Sequence, residues 1–161
     1  MNLPLIPRYS FGKYTDISPS FLVNLNIKFL MLDLDNTIAK YSEHSPSPAA
    51  DEWVRSMRGS NIQLFIISNS KREYRVEAFA DALCLPYIKN AQKPSPVNLL
   101  SAMQDNGFIA IETAFLGDQI FTDTLAANRA NITSIIVRPL SLRNPLLLLR
   151  FIAETPFRVL A

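Results

Sequence analysis

The chain has 161 residues, 48% hydrophobic and 19% charged, with a net charge of +2; this excludes a disordered polar chain and suits one domain rather than two. One Cys and one His exclude an internal disulfide, a Cys-based zinc site and a His-cluster metal site, and leave His44 as the sole candidate base for a Ser-His-Asp triad. Four Gly against 11 Pro argue against Gly-rich phosphate loops, and neither G-x-G-x-x-G nor G-x-x-x-x-G-K-[ST] occurs.

Residues 1–26 read as a lead-in with a short helix over 19–25. The first ten hold two Pro and one Arg and no long apolar run, unlike a secretory signal. Residues 27–34 are nearly all apolar and predict a strand buried on both faces of a parallel sheet. Lys28 marks the exposed start of that strand. Ser47-Pro48 predicts an N-cap and first helical residue, with Ala50, Trp53, Val54 and Met57 inward and Gly59 as the stop. A second strand follows over 62–67. The next helix begins near Lys71, with Val76, Phe79, Ala80 and Leu83 on one face; Cys84 reads as core. A short third strand over 85–88 precedes a helix opened by Ser95-Pro96 and closed by Gly107. Residues 113–116 form a fourth strand ending in Gly117-Asp118. A short helix over 122–130 and a fifth strand over 132–137 complete the sheet. Asn144-Pro145 caps a final helix expected to stop before Pro156.

This βα alternation predicts an α/β fold: an open five-stranded parallel sheet with helices on both faces, and ligands at the carboxyl ends of the strands. Four polar features fall at those ends. Asp33-Leu34-Asp35-Asn36-Thr37 closes strand one. Residues i and i+2 of a strand point the same way, so both carboxylates reach one crevice. Their repulsion calls for a cation, and an all-oxygen donor set suits Mg²⁺. Ser68-Asn69-Ser70 follows strand two, where a hydroxyl and backbone N–H groups suit an anion. Lys93-Pro94 offers a point positive charge. Gly117-Asp118-Gln119-Ile120-Phe121-Thr122-Asp123 adds more carboxylates.

In order and placement this set resembles the haloacid dehalogenase (HAD) superfamily of phosphotransferases, over about residues 26–138. Asp33-x-Asp35-x-Thr37, Ser68, Lys93 and Gly117-Asp118-x-x-x-x-Asp123 match its four motifs. With Ser68-Asn69, Arg75-Val76-Glu77-Ala78-Phe79-Ala80, Pro86-Tyr87-Ile88 and Lys93-Pro94-Ser95, the chain looks like the YqeG-type branch, which is similar to mitochondrial phosphatidylglycerophosphate phosphatases. The resemblance implies a three-layer αβα Rossmann-like fold. Asp33 would be the nucleophile and Asp35 the general acid and base. Mg²⁺ would be held by Asp33, the backbone carbonyl of Asp35, and Asp118. Ser68, Asn69 and Lys93 would bind phosphate, Thr37 would position the loop, and Asp123 would orient Lys93 or a metal-bound water rather than ligate directly. Only 32 residues separate Asp35 from Ser68, and 24 separate Ser68 from Lys93. No room remains for a cap domain, so the site should be open to large substrates.

The expected activity is Mg²⁺-dependent phosphomonoester hydrolysis, with phosphatidylglycerophosphate as the favoured substrate. A soluble sugar or nucleotide phosphate is the alternative, and a receiver-like signalling domain the non-enzymatic one. Receivers phosphorylate an Asp on a later strand than their acidic pair, which disfavours the last. Residues 143–161 read as an apolar helix and tail, either packed on the sheet or anchored at a membrane surface through Arg143, Arg150 and Arg158. Leu3, Leu5, Ile6, Tyr9, Phe11 and Tyr14 of the lead-in are candidates to join it. No run reaches the roughly 18 apolar residues of a spanning helix. The expectation is a cytoplasmic protein, or one peripheral to a membrane. Modest charge and the lack of a basic-aromatic stripe speak against nucleic acid.

Overall fold

The computed structural model describes residues 4–161; Leu3 lies outside them. Six parallel strands form one sheet: β1 (Tyr9–Phe11), β2 (Phe29–Leu32), β3 (Gln63–Ile67), β4 (Tyr87–Ile88), β5 (Thr113–Gly117) and β6 (Thr133–Val137), in the order β1-β6-β5-β2-β3-β4. The helices are α1 (Pro19–Asn24), α2 (Pro48–Gly59), α3 (Glu73–Leu83), α4 (Val97–Asp105), α5 (Leu125–Arg129) and α6 (Pro145–Arg158).

The sheet has one strand more than expected. β1 comes from the lead-in and pairs in register with β6, Tyr9 beside Ile135 and Phe11 beside Val137. The three residues of β1 are too few to show a period, so only the long-range pairing reveals them. The lead-in after β1 is tied down as well. Trp53 donates its indole N–H to the Ile17 carbonyl at 3.0 Å and meets the edge of Tyr14.

Strand alternation sorts the core into two layers. Leu30, Leu32, Leu64, Ile66, Ala114 and Leu116 pack with Leu22 of α1, Trp53 and Met57 of α2, and Val76 and Phe79 of α3. Phe29, Met31, Phe65, Ile67 and Phe115 pack with Leu99 and Met103 of α4 and Ala126 and Ala127 of α5. β2 is buried at all four positions because β3 and β5 flank it. Lys28, just before it, is exposed and paired with Glu112.

The starts of α2 and α6 follow the capping logic of the sequence, whereas α4 begins at Val97, after Ser95-Pro96, with no side-chain cap. Ser47 Oγ accepts from the Ala50 N–H at 3.2 Å, and Asn144 Oδ1 from the Leu146 N–H at 2.9 Å, each followed by Pro. Two expectations fail. Cys84 is exposed rather than core, because it is the left-handed residue (φ 51°) that ends α3. And α6 runs through Pro156 to Arg158. Proline removes one helical N–H, but tertiary bonds hold the last turn. Arg158 donates to the Val137 carbonyl at 3.0 Å, to Glu154 at 3.0 Å and to the Asp118 carbonyl.

Candidate active site

The chain order reverses beside β2: β3 and β4 extend the sheet one way, β5 and β6 the other. Parallel sheets hold ligands at such a switch point, beyond the carboxyl ends of the strands. Asp33 follows β2 there, Asp118 follows β5 and Ser68 follows β3. All three are buried, as are Asp35, Lys93 and Asp123.

Lys93 sits at the centre. Its ammonium donates to Asp33 Oδ1 at 2.7 Å and to the Ile67 carbonyl at 3.0 Å, and it pairs with Asp123 Oδ1 at 2.8 Å. An ammonium has three donors, and all three are placed. Burial alone pulls the Lys93 ammonium downward in pKa, but the Asp123 and Asp33 carboxylates together outweigh it and hold it above the usual lysine range. The Phe115 ring lies beneath, 4.9 Å from the nitrogen.

Asp33 and Asp118 face each other through Thr37, whose hydroxyl lies 3.3 Å from Asp33 Oδ2 and 3.3 Å from Asp118 Oδ1. Burial pushes the Asp33 carboxyl up to about 7; the Asp123 and Asp35 charges push the same way and Lys93 opposes them. Burial also raises Asp118 well above the carboxylate range, with Asp123 and Asp33 adding to the effect. Carboxylate oxygens of Asp33, Asp118 and Asp123 lie within 4.8 Å of one another. Three buried carboxylates around one ammonium leave negative charge uncompensated. A hard divalent cation such as Mg²⁺ fits that oxygen donor set.

Asp123 is held on both oxygens. Oδ2 accepts the Asp118 N–H at 3.1 Å and the Gln119 N–H at 3.0 Å, while Oδ1 meets Lys93. A π-helical turn over Ile120–Thr124 carries it back under the end of β5. Gly117 is required there, since a Cβ would sit 2.4 Å from three Asp123 side-chain atoms.

The remaining polar side chains of the site have partners of their own. Asn69 was expected among the phosphate-binding groups, but its amide is committed to the Lys93 backbone. Nδ2 donates to the Lys93 carbonyl and Oδ1 accepts the Lys93 N–H, both at 2.9 Å. Ser68 Oγ accepts the Ser70 N–H at 3.0 Å, which leaves its own proton to donate. The Asp35 carboxyl stands outside the acidic cluster, with Oδ1 bound 2.8 Å from Nε of Arg75. Arg75 figured in the sequence only within the branch motif and Arg158 only as an anchor candidate; the structure sets the first against Asp35 and the second against the Asp118 carbonyl. The available signal for Arg75 was its place one turn before Phe79 on an otherwise apolar helix face.

The site opens into a pocket of about 1100 Å³. Lys40, Lys71, Arg72, Arg143 and Arg150 line it beside the catalytic groups. Tyr41 lines it too; partial burial and then the Asp35, Asp118 and Asp33 charges push its phenol above the usual range. His44 is exposed.

A family model described as haloacid dehalogenase-like hydrolase matches residues 10–137. The chain is 32% identical over 125 residues to a probable phosphatase, YqeG, of Bacillus subtilis, covering 78% of this chain and 72% of that one. Among solved structures it resembles the cobalt-bound deoxy-D-mannose-octulosonate 8-phosphate phosphatase of Haemophilus influenzae (TM-score 0.55, 20% identity, 68% of each chain). It also resembles the 3-deoxy-D-manno-octulosonate 8-phosphate phosphatase of Moraxella catarrhalis in complex with magnesium, phosphate and KDO (TM-score 0.53, 16% identity, 86% of this chain and 95% of that one). At these identities the two structures speak to the fold.

Proposed function

The chain belongs to the haloacid dehalogenase-like hydrolases, and from that premise we propose that it is a phosphomonoester hydrolase working through an aspartyl-phosphate on Asp33. The observation that carries this reading is the contact between Lys93 and Asp33 Oδ1, opposite Asp118, at the switch point of the sheet. A carboxylate held by a buried ammonium is oriented for attack and shielded from water.

Asp33 attacks phosphorus, and the bond to the ester oxygen breaks. Asp35 gives its proton to the departing alkoxide, so an alcohol leaves. Asp35 then takes a proton from water, whose oxygen attacks phosphorus and breaks the bond to Asp33. Inorganic phosphate departs and both carboxyls return to their starting states. The Ser68 hydroxyl holds an equatorial oxygen; the Lys93 ammonium holds another with the donor that Asp33 Oδ1 releases as that carboxylate turns to phosphorus. Asn69 fixes the Lys93 backbone, and Asp123 fixes the ammonium. Magnesium would be held by the Asp33 and Asp118 carboxylates with the Asp35 carbonyl, and would supply neutralisation of the negative charge that carboxylates and phosphoryl group share.

Between β2 and β3 the only helix is α2, and between β3 and β4 the only one is α3. This supports one catalytic unit without a cap, whose open pocket would admit a large substrate. The favoured substrate is phosphatidylglycerophosphate. Its support is the likeness to YqeG and the ring of cations, which suits a second anionic group beside the monoester. No helix among the described residues is long and apolar enough to cross a membrane. Peripheral attachment has support in α6, which exposes Leu146, Leu149 and Ile152 while Leu147 and Arg150 line the pocket. Arg158, expected to assist such an anchor, instead turns inward to Asp118 and Glu154. Failure to float with anionic liposomes at low salt would overturn the attachment.

The same cations favour an acidic soluble sugar or nucleotide phosphate as the second reading. Assays with Mg²⁺ on detergent-dispersed phosphatidylglycerophosphate, soluble sugar phosphates and nucleotides separate the two. Asp33→Asn is the control: it should fold and release no phosphate, and substantial turnover by that variant would remove the nucleophile assignment.

A further inference from the structure

Arg75 lies in the first turn of α3 and is 5% exposed. Its guanidinium reaches three acceptors on a different stretch of chain. Nε donates to Asp35 Oδ1 at 2.8 Å, one terminal nitrogen to the Lys40 carbonyl at 2.7 Å, and the other to the Glu43 carbonyl. Phe79, one turn along α3, sets its ring 4.6 Å from the guanidinium carbon. The 40–43 segment is a closed turn in its own right: the Glu43 N–H donates to the Lys40 carbonyl at 3.0 Å, and Glu43 accepts the Lys40 N–H at 2.7 Å. Lys40, Tyr41 and Ser42 of that turn line the pocket, as Asp35 does.

A planar fork that binds one carboxylate oxygen and two carbonyls at once fixes their relative positions. With Oδ1 held by Nε, the carboxyl plane of Asp35 is set and Oδ2 is left for substrate. Resting on the assignment of Asp35 as acid and base, we infer that Arg75 is a positioning residue that aims the Asp35 carboxyl at the leaving oxygen and locks the 40–43 turn as a wall of the pocket. Packing alone would ask nothing of Asp35. A clasp on Asp35 makes Arg75 matter most where protonation of the leaving group matters most.

Leaving-group dependence reads this out. An alkyl phosphate leaves as a strongly basic alkoxide and needs the proton from Asp35. p-Nitrophenyl phosphate leaves as a stable phenolate and does not. Formation of the aspartyl-phosphate governs kcat/KM, whereas the later water step is common to both substrates. kcat/KM is therefore the discriminating quantity. Arg75→Lys keeps the charge but cannot bridge three acceptors. It should lose at least about tenfold more kcat/KM on glycerol phosphate than on p-nitrophenyl phosphate, given that misaimed groups cost up to about 100-fold. Asp35→Asn should show the same selectivity, more strongly, within the roughly 100- to 10000-fold range of acid-base catalysis.

Equal losses on the two substrates in Arg75→Lys, beside a selective loss in Asp35→Asn, would overturn the role of Arg75 and leave the hydrolase reading standing. Equal losses in Asp35→Asn would overturn the acid assignment and this inference with it. If Arg75→Lys does not fold, Phe79→Leu loosens the ring under the guanidinium while keeping Arg75. A smaller selective loss on the alkyl substrate supports the clasp, and an unchanged ratio overturns it.

Discussion

Chelating divalent ions should give the protein a stability that falls with pH across a window the ion-loaded protein does not share. Burial raises the folded Asp33 carboxyl to about 7, against about 4 in an unfolded chain. Between these values the folded protein holds a proton that the unfolded chain has lost. Folding is then linked to proton uptake, so the stability tied to Asp33 declines as pH rises from about 4 and is lost above about 7, while the raised Asp118 carboxyl adds a decline of the same sign. Three pKa units correspond to on the order of 4 kcal/mol in total, of which roughly half falls between pH 5.5 and 8. For a chain of this size that is about 4–8 °C in Tm. Mg²⁺ replaces the missing proton as the countercharge. A site held at 100 times its Kd adds about 2.7 kcal/mol, so added Mg²⁺ should raise Tm more at pH 8 than at pH 5.5. Thermal unfolding at the two pH values, with chelator and with Mg²⁺, measures both effects. Asp33→Asn, which cannot ionise, should flatten the pH dependence of the chelated protein. A chelated wild type with the same Tm at both pH values, or an Asp33→Asn variant with an undiminished slope, would refute the charge-crowding argument.

Other substitutions test the supports of the site. Gly117→Ala puts a methyl group 2.4 Å from Asp123; overpacking of this kind costs about 1–3 kcal/mol, and the displaced Asp123 should release Lys93 and lower kcat about 100-fold. A variant within twofold of wild-type kcat would remove the case for a tight fit. Asn69→Ala loses two hydrogen bonds to the Lys93 backbone, worth about 1–3 kcal/mol together. It should lower kcat with Tm reduced by a few degrees, while unchanged kinetics would show that Lys93 needs no such clamp. Glu154→Ala strips a buried partner from Arg158 and from the Phe121 N–H. Breaking such a pair costs about 3–5 kcal/mol, and denaturant unfolding should show the midpoint fall.

The sequence carried the layers of the fold and the principal groups of the site for separate reasons. Apolar runs flanked by capping Ser-Pro and Asn-Pro pairs located the helices and five of the six strands, because period and cap chemistry are local. The aspartates, Ser68 and Lys93 were legible because they fall where those strands end. β1 was not legible, since three residues have no readable period and owe their conformation to β6. Pro156 misled because tertiary bonds from Arg158 outweigh one lost helical N–H. Cys84 misled because a helix-ending left-handed residue points out of the face that its spacing suggested. Asn69 and Arg75 show the same limit at the site. Residue type told that a polar group was present, but only packing tells which partner it has taken.

The pairing of β1 with β6 also bears on the time at which the molecule can complete itself. Tyr9 meets Ile135 and Phe29 meets Thr113, so during synthesis the first strand waits for nearly the whole sheet to be made. Asp33 lies in nascent chain long before Asp118 exists to share its charge, and Lys93 joins it before the second carboxylate arrives. Such distant closures make folding slow compared with chains rich in local contacts. In a growing chain β2, the most hydrophobic strand, has β3 as its first available neighbour, and its other edge stays open until β5 emerges. That open edge is the moment of greatest exposure to misassembly in the life of this protein.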